Sequence, residues 1–368
     1  MTEAVASRID ELSALRTEAG QRYFEAEAEG LASTCHQMAE RFAAGGRLLA
    51  LGGSPQARSD ARHVAVEFVH PVIVGKRALP AIGLCAEGGS LTEQFALVAE
   101  PGDIVIGFDA PLEAARSLGC LTLSFDPPVD DPFVHQELSE TAYHLLWELV
   151  HVFFEHRGGG HDTGASSFLY PFLGEAETDI ESVLADVRDS VLMKAAEVGE
   201  LRAQTLDEGR AELVAAAAAI RSGGRLLVLG NGGSATDAMD AAADMRHPPR
   251  GWPARPALDL TEDSAILTAI ANDIGVDAIF ARQVIAHGRE GDVLLAMSTS
   301  GNSANVIEAL AEARRRSITT IAMVGYDGGR VADERLADHV VVTRSEHIPR
   351  IQEAQASAWH VLRELIEL

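Results

Sequence analysis

In Gly291-Asp292-Val293-Leu294-Leu295-Ala296-Met297-Ser298-Thr299-Ser300-Gly301-Asn302-Ser303, an apolar run of strand type ends in four hydroxyls, a glycine and an amide. A helical pattern follows through Ala304-Asn305-Val306-Ile307-Glu308-Ala309-Leu310. A buried parallel strand that feeds a tight turn and a helix directs several backbone N–H groups at one spot beyond the strand's carboxyl end. Serine and threonine hydroxyls add donors suited to a phosphate oxygen without adding charge. An ordinary helix cap needs only one such hydroxyl. This loop offers Ser298, Thr299, Ser300 and Ser303, which points to an anion site.

Working outward, the same text occurs twice. Arg47-Leu48-Leu49-Ala50-Leu51-Gly52-Gly53-Ser54 is echoed by Arg225-Leu226-Leu227-Val228-Leu229-Gly230-Asn231-Gly232-Gly233-Ser234. Asp60 to Glu67 aligns with Asp237 to Asp244, Ala78 to Leu84 with Arg255 to Leu260, and Gly102 to Phe108 with Gly291 to Met297. Gln136 and His144 share a spacing of eight with Gln352 and His360. A repeat on this scale implies one α/β unit duplicated. Residues 7–43 and 178–221 read as helices ahead of each copy. Alternating strands and helices then imply an α/β fold of two tandem, doubly wound, flavodoxin-like parallel sheets with long flanking helices. The expected boundaries are 1–160 for the first domain, 161–177 for a turn-rich linker and 178–368 for the second.

The copies are unequal. The second carries an insert with Asp263, Asn272 and Asp273, the hydroxyl loop, and Gly325-Tyr326-Asp327-Gly328-Gly329. In the first, the matching strand runs into Asp109-Ala110-Pro111, where a carboxylate repels phosphate and proline removes a donor. The first copy is expected to have lost the anion site.

Composition narrows the function. With 368 residues and 47% hydrophobic content the chain can fill folded cores. A formal charge of −25 argues against direct nucleic-acid or anionic-membrane binding, while one local nest of donors still suits a phosphorylated small molecule. The three cysteines lack metal or CxxC spacing and suit a reducing compartment. No run of about eighteen apolar residues and no leader pattern occurs, so a cytoplasmic protein without a membrane span is expected.

Gly230-Asn231-Gly232-Gly233-Ser234-Ala235, Leu267 to Asp273, Ser298 to Ser303 and Arg350-Ile351-Gln352-Glu353 resemble a sugar isomerase (SIS) domain. The chain is similar to the phosphoheptose isomerase branch, whose members interconvert sedoheptulose 7-phosphate and a heptose 7-phosphate, and to the initiator-associating SIS proteins. That resemblance implies a phosphate held by Ser298, Thr299, Ser300 and Ser303, and a sugar lined by Asn231, Ser234 and Asp273. It also implies a zinc site of His and Glu one turn apart, with Gln and His two turns apart on the last helix. The Glu and the final His then serve as acid/base pair.

The first copy matches that set with His63, Glu67, Gln136 and His144. The second departs from it: Asp240 and Asp244 replace the His and Glu, although Gln352 and His360 remain. Two imidazoles, a carboxylate and an amide suit zinc, so zinc or another divalent metal is expected to prefer the first copy. Isomerisation needs a base to move a proton between C1 and C2 and something to stabilise the enediolate. Glu67 or Asp244 would be the base, His144 or His360 the acid. The altered second copy leaves a non-catalytic phosphosugar sensor or scaffold as the alternative. The branch's tetramers further imply a homodimer of two-unit chains.

Overall fold

A computed structural model describes residues 3–72, 76–157 and 180–368. The expected linker at 161–177 lies outside the described residues. The elements in order are α1 (Glu3–Ala43), β1 (Leu48–Gly52), α2 (Pro55–Val69), β2 (Ala81–Cys85), α3 (Leu91–Val98), β3 (Ile104–Phe108), α4 (Glu113–Leu118), β4 (Leu121–Ser124) and α5 (Pro132–Arg157). There follow α6 (Ile180–Glu208), α7 (Arg210–Ser222), β5 (Leu226–Leu229), α8 (Gly233–Arg246), β6 (Ala257–Asp259), α9 (Ser264–Asp273), α10 (Ile279–His287) and β7 (Val293–Ser298). The last are α11 (Ala304–Arg315), β8 (Thr319–Gly325), α12 (Gly329–Asp333), β9 (His339–Thr343) and α13 (Ile348–Ile366).

The chain divides into two compact units: Ala19–Glu197, hereafter the N-terminal unit, and Met1–Glu18 with Val198–Leu368, the C-terminal unit. The long leading helix expected at 178–221 is two helices, because the chain turns at Gly209. A Cβ there would lie 2.8 Å from the Thr205 carbonyl oxygen and 3.0 Å from the Val341 side chain, so the close approach favours glycine.

In the N-terminal unit the sheet has the order β2-β1-β3-β4, all parallel. Leu48 and Ala50 face one apolar core while Leu49 and Leu51 face another, the alternation of a strand covered on both sides. In the C-terminal unit the order is β6-β5-β7-β8-β9, again all parallel. Leu226 and Val228 face one core, Leu227 and Leu229 the other. Strand order reverses between β1 and β3 and between β5 and β7. That is the switch point at which open α/β sheets bind ligands.

The same arginine–aspartate clamp closes the base of each sheet. Asp103 Oδ1 accepts the Arg47 backbone N–H at 2.9 Å, and Arg47 donates from its guanidinium to the Val98 carbonyl at 2.7 Å. Asp292 Oδ1 accepts the Arg225 N–H at 2.9 Å, and Arg225 donates to the His287 carbonyl at 2.6 Å. Burial alone would raise both carboxyls, but the arginine and backbone hydrogen bonds outweigh it and hold them below the ordinary range. Helices α2 and α8 end alike, on His70 (φ −127°, ψ 72°) and His247 (φ −129°, ψ 62°). Among the described residues no helix is long and apolar enough to cross a membrane.

Candidate active site

The hydroxyl loop joins β7 to α11 at the switch point of the C-terminal sheet. Ser298, the last residue of β7, is buried, and its Oγ accepts the N–H groups of Ser300 at 3.3 Å and Gly301 at 3.2 Å. That hydroxyl holds the loop's shape from inside. Ser300 Oγ accepts the Asn302 N–H at 3.2 Å, and Asn302 Oδ1 accepts the Arg330 N–H at 3.0 Å. Gly301 has φ 62°, and a Cβ there would lie 2.1 Å from the Gly328 carbonyl oxygen. The loop is thereby pressed against the β8–α12 turn, where no larger residue fits. Ser303 stands at the N-cap of α11, yet its side chain makes no capping hydrogen bond. Its hydroxyl is not consumed by the helix.

Asn231 and Asn305 exchange amide hydrogen bonds at 3.0 and 2.9 Å, which fastens the β5–α8 turn to the first turn of α11. Ser234 is buried in the first turn of α8, and a Cβ on Gly230 would lie 2.1 Å from its carbonyl oxygen. The structure therefore brings Asn231 and the hydroxyl loop together. Asp273 is exposed at the end of α9 and accepts from the Asn272 amide at 2.7 Å. Asp263 caps α9, accepting from the N–H groups of Ala265 and Ile266.

Helices α8 and α13 bring Asp240, Asp244 and His360 into one buried cluster, with a ligand atom of each within 4.8 Å of the others. His360 Nε2 lies 3.4 Å from Asp240 Oδ2 and 3.5 Å from Asp244 Oδ2. Asp244 Oδ2 also accepts from the Trp359 indole at 2.9 Å. Gln352 is buried on the same helix, α13. Gln355, which the sequence did not single out, donates to the Ser298 carbonyl at 3.2 Å and so ties α13 to the hydroxyl loop.

The N-terminal unit builds its counterpart from α2 and α5. His63, Glu140 and His144 form a buried group with ligand atoms within 4.8 Å of one another. The two imidazoles meet Nε2 to Nε2 at 3.2 Å, and His63 Nε2 lies 3.8 Å from Glu67 Oε1. Burial, reinforced by repulsion from His144, pushes His63 well below its ordinary pKa and keeps it neutral, the form that binds metals. Gln136 donates to Asp60 Oδ1 at 3.1 Å, and its buried Oε1 has no hydrogen-bond partner among the described residues. Two imidazoles with carboxylates fit a divalent cation of zinc type, whereas Asp240, Asp244 and His360 form a harder, oxygen-rich set. Glu140 was missed by sequence; its signal was a spacing of four from both Gln136 and His144. Where the C-terminal unit has its hydroxyl loop, this unit has Asp109 at φ 45°, and a Cβ on Gly53 would lie 1.8 Å from the Asp109 carbonyl oxygen. Backbone fills that space.

A family model described as SIS domain matches residues 194–325. The phosphoheptose isomerase of Geobacter sulfurreducens is 48% identical over 161 residues, covering 43% of this chain and 82% of that protein. The phosphoheptose isomerase of Rhodospirillum rubrum is 43% identical over 152 residues, covering 41% of this chain and 79% of that protein. In fold, the chain is similar along its whole length to tagatose-6-phosphate ketose/aldose isomerase from Escherichia coli, with a TM-score of 0.57 at 13% identity and 96% of that chain covered.

Proposed function

This chain belongs to the SIS-domain family, and from that premise we propose that it is an aldose–ketose isomerase of phosphorylated sugars, of the phosphoheptose type, acting through an enediolate. One observation carries the reading: a single unit holds both the hydroxyl loop and the Asp240–Asp244–His360 cluster, with Gln355 joining the loop to the cluster's helix. Thr299, Ser300 and Ser303, with the first-turn N–H groups of α11, receive the phosphate, and Ser298 shapes the loop around it. Asn231 and Ser234 line the sugar, with Asp273 assigned by family resemblance. Asp244 takes the proton from one of C1 and C2 and returns it to the other, while His360 protonates the oxygen that ends as hydroxyl and takes up the proton of the oxygen that ends as carbonyl. Glu67 and His144 form the corresponding pair of the N-terminal unit.

Zinc or another divalent cation would be held around His63 and His144, to which the family pattern adds Glu67 and Gln136, and less tightly by Asp240, Asp244, Gln352 and His360. When bound it would supply a Lewis acid for the enediolate oxygens. The paired clamps and matching helix ends support a tandem duplication, and we read the working form as a cytoplasmic homodimer.

The test is incubation with sedoheptulose 7-phosphate in deuterated buffer, followed by NMR. Aldose should appear with deuterium at the transferred position, and Asp244→Asn should lower the rate by about 10²–10⁴-fold. Absence of both aldose and exchange in the wild type would reject isomerisation. A non-catalytic phosphosugar sensor or scaffold is the second reading. It is favoured by the hydrogen bond from Trp359 and the close contact of His360, which engage Asp244 within the protein. Saturable phosphosugar binding without proton exchange would select it.

A further inference from the structure

The metal-type cluster of the N-terminal unit differs from the set that the family pattern names, and the difference lies in which carboxylate is close. The mutually close donors are His63, Glu140 and His144. Glu67 is 3.8 Å from His63 yet falls outside that group. The amide nitrogen of Gln136 is committed to Asp60, so at most its oxygen remains as a neutral donor.

The C-terminal unit supplies the control. On α13 the residue in the place of Glu140, midway between Gln352 and His360, is Ala356. There the close group is Asp240, Asp244 and His360, so both carboxylates come from α8. Each unit thus has two buried carboxylates at or beside its cluster: Glu140 within the group and Glu67 next to His63 in one, Asp240 with Asp244 in the other. Where α8 has an aspartate in place of a histidine, the matching place on the last helix is held by Ala356. Where α2 has its histidine, that place is held by Glu140.

We propose that Glu140, with His63 and His144, is an inner ligand of a divalent-cation site in the N-terminal unit, and that Glu67 stands outside that inner set. The inference rests on the reading that this unit holds a cation. It assigns a two-histidine, one-carboxylate site on α2 and α5, open to further oxygen donors such as the Gln136 amide. Glu67 is then available as a base without leaving a metal, a division of labour that the C-terminal unit's cluster does not offer to Asp244.

The experiment uses the full chain with His360→Ala, which removes the imidazole from the other cluster. Cobalt binding is read by visible absorption, zinc affinity by competition, and the zinc-induced rise in melting temperature by thermal denaturation. Glu140→Gln and Glu140→Ala should each weaken binding by more than about 100-fold, beyond the loss typical of a residue that only positions a ligand. Glu67→Gln, at a residue beside a ligand, should weaken it by no more than about 100-fold. Because Glu140→Ala installs the residue that α13 already carries at this place, a folded variant is expected, and circular dichroism without metal verifies it. Should Glu67→Gln abolish binding while both Glu140 variants retain it, Glu140 is not a ligand and the proposal falls, although the cation site stands. Should the His360→Ala parent bind neither cobalt nor zinc, the cation reading of this unit falls as well.

Discussion

Ser303→Ala separates a phosphate ligand from a helix cap. A serine that caps through its side chain loses about 1 kcal/mol of stability on conversion to alanine. Ser303 occupies the N-cap of α11 with φ −63° and ψ 119°, yet its hydroxyl makes no capping bond, so that loss should be absent. If the hydroxyl donates to a phosphate oxygen, the bond contributes about 1.5–3 kcal/mol, as hydrogen bonds to charged groups do. Affinity should then fall by about 10- to 150-fold. The control is Ser298→Ala. Its Oγ accepts two backbone N–H groups, that of the buried Gly301 among them, so removing it should cost about 1–3 kcal/mol of stability. Calorimetric titration with sedoheptulose 7-phosphate and thermal denaturation of both variants provide the two readouts. An affinity within twofold of wild type for Ser303→Ala, or a thermal loss equal to that of Ser298→Ala, would refute the assignment.

Gly301→Ala should weaken phosphosugar binding by at least about tenfold, because φ 62° and a Cβ 2.1 Å from the Gly328 oxygen force the loop out of place; the same titration checks it. Asp292→Asn should cost about 3 kcal/mol in chemical denaturation, since it leaves the partly buried Arg225 without its carboxylate, and Asp103→Asn should cost less because Glu100 also lies 3.5 Å from Arg47. Both aspartates have folded pKa values below the ordinary one near about 3.9, so their contribution is complete above that pH and is lost as pH falls through the folded value. Each asparagine variant should therefore show a flatter acid denaturation profile than wild type. Light scattering at micromolar concentration should give the mass of two chains, and a stable single-chain mass would reject the homodimer.

The sheets were legible because their signals are local. Apolar runs such as Leu226–Leu229, followed by glycines, admit few alternatives to a buried strand entering a tight turn. Arg47 and Asp103, or Arg225 and Asp292, were visible only as matching letters; that each pair forms the base of its sheet depends on strands far apart in sequence meeting edge to edge. The turn at Gly209 was not legible either. Nothing around it breaks a helix, and the glycine is explained only by the crowding of the Thr205 carbonyl and the Val341 side chain.

The site divides along the same line. A run of hydroxyls after a strand announced the loop, but serine reads the same whether it faces a ligand or, like Ser298, its own backbone. Glu140 shows the harder limit. A glutamate on a helix is ordinarily a solvated residue, and nothing adjacent to it says otherwise. It is buried because α5 is covered on all sides from Glu137 to Phe153, as α13 is from Pro349 to Ile366. A helix of that kind has no outer face on which charge can be placed harmlessly. Every charged residue on it must then meet a partner inside the fold, so the place to look for undeclared ligands in this chain is the acidic positions of its two last helices. Glu140 beside two imidazoles and Glu148 at 2.8 Å from Lys194 are two such cases, and they differ in kind. Glu148 meets a lysine, whereas Glu140 shares its group with two imidazoles, a donor set that fits a dication.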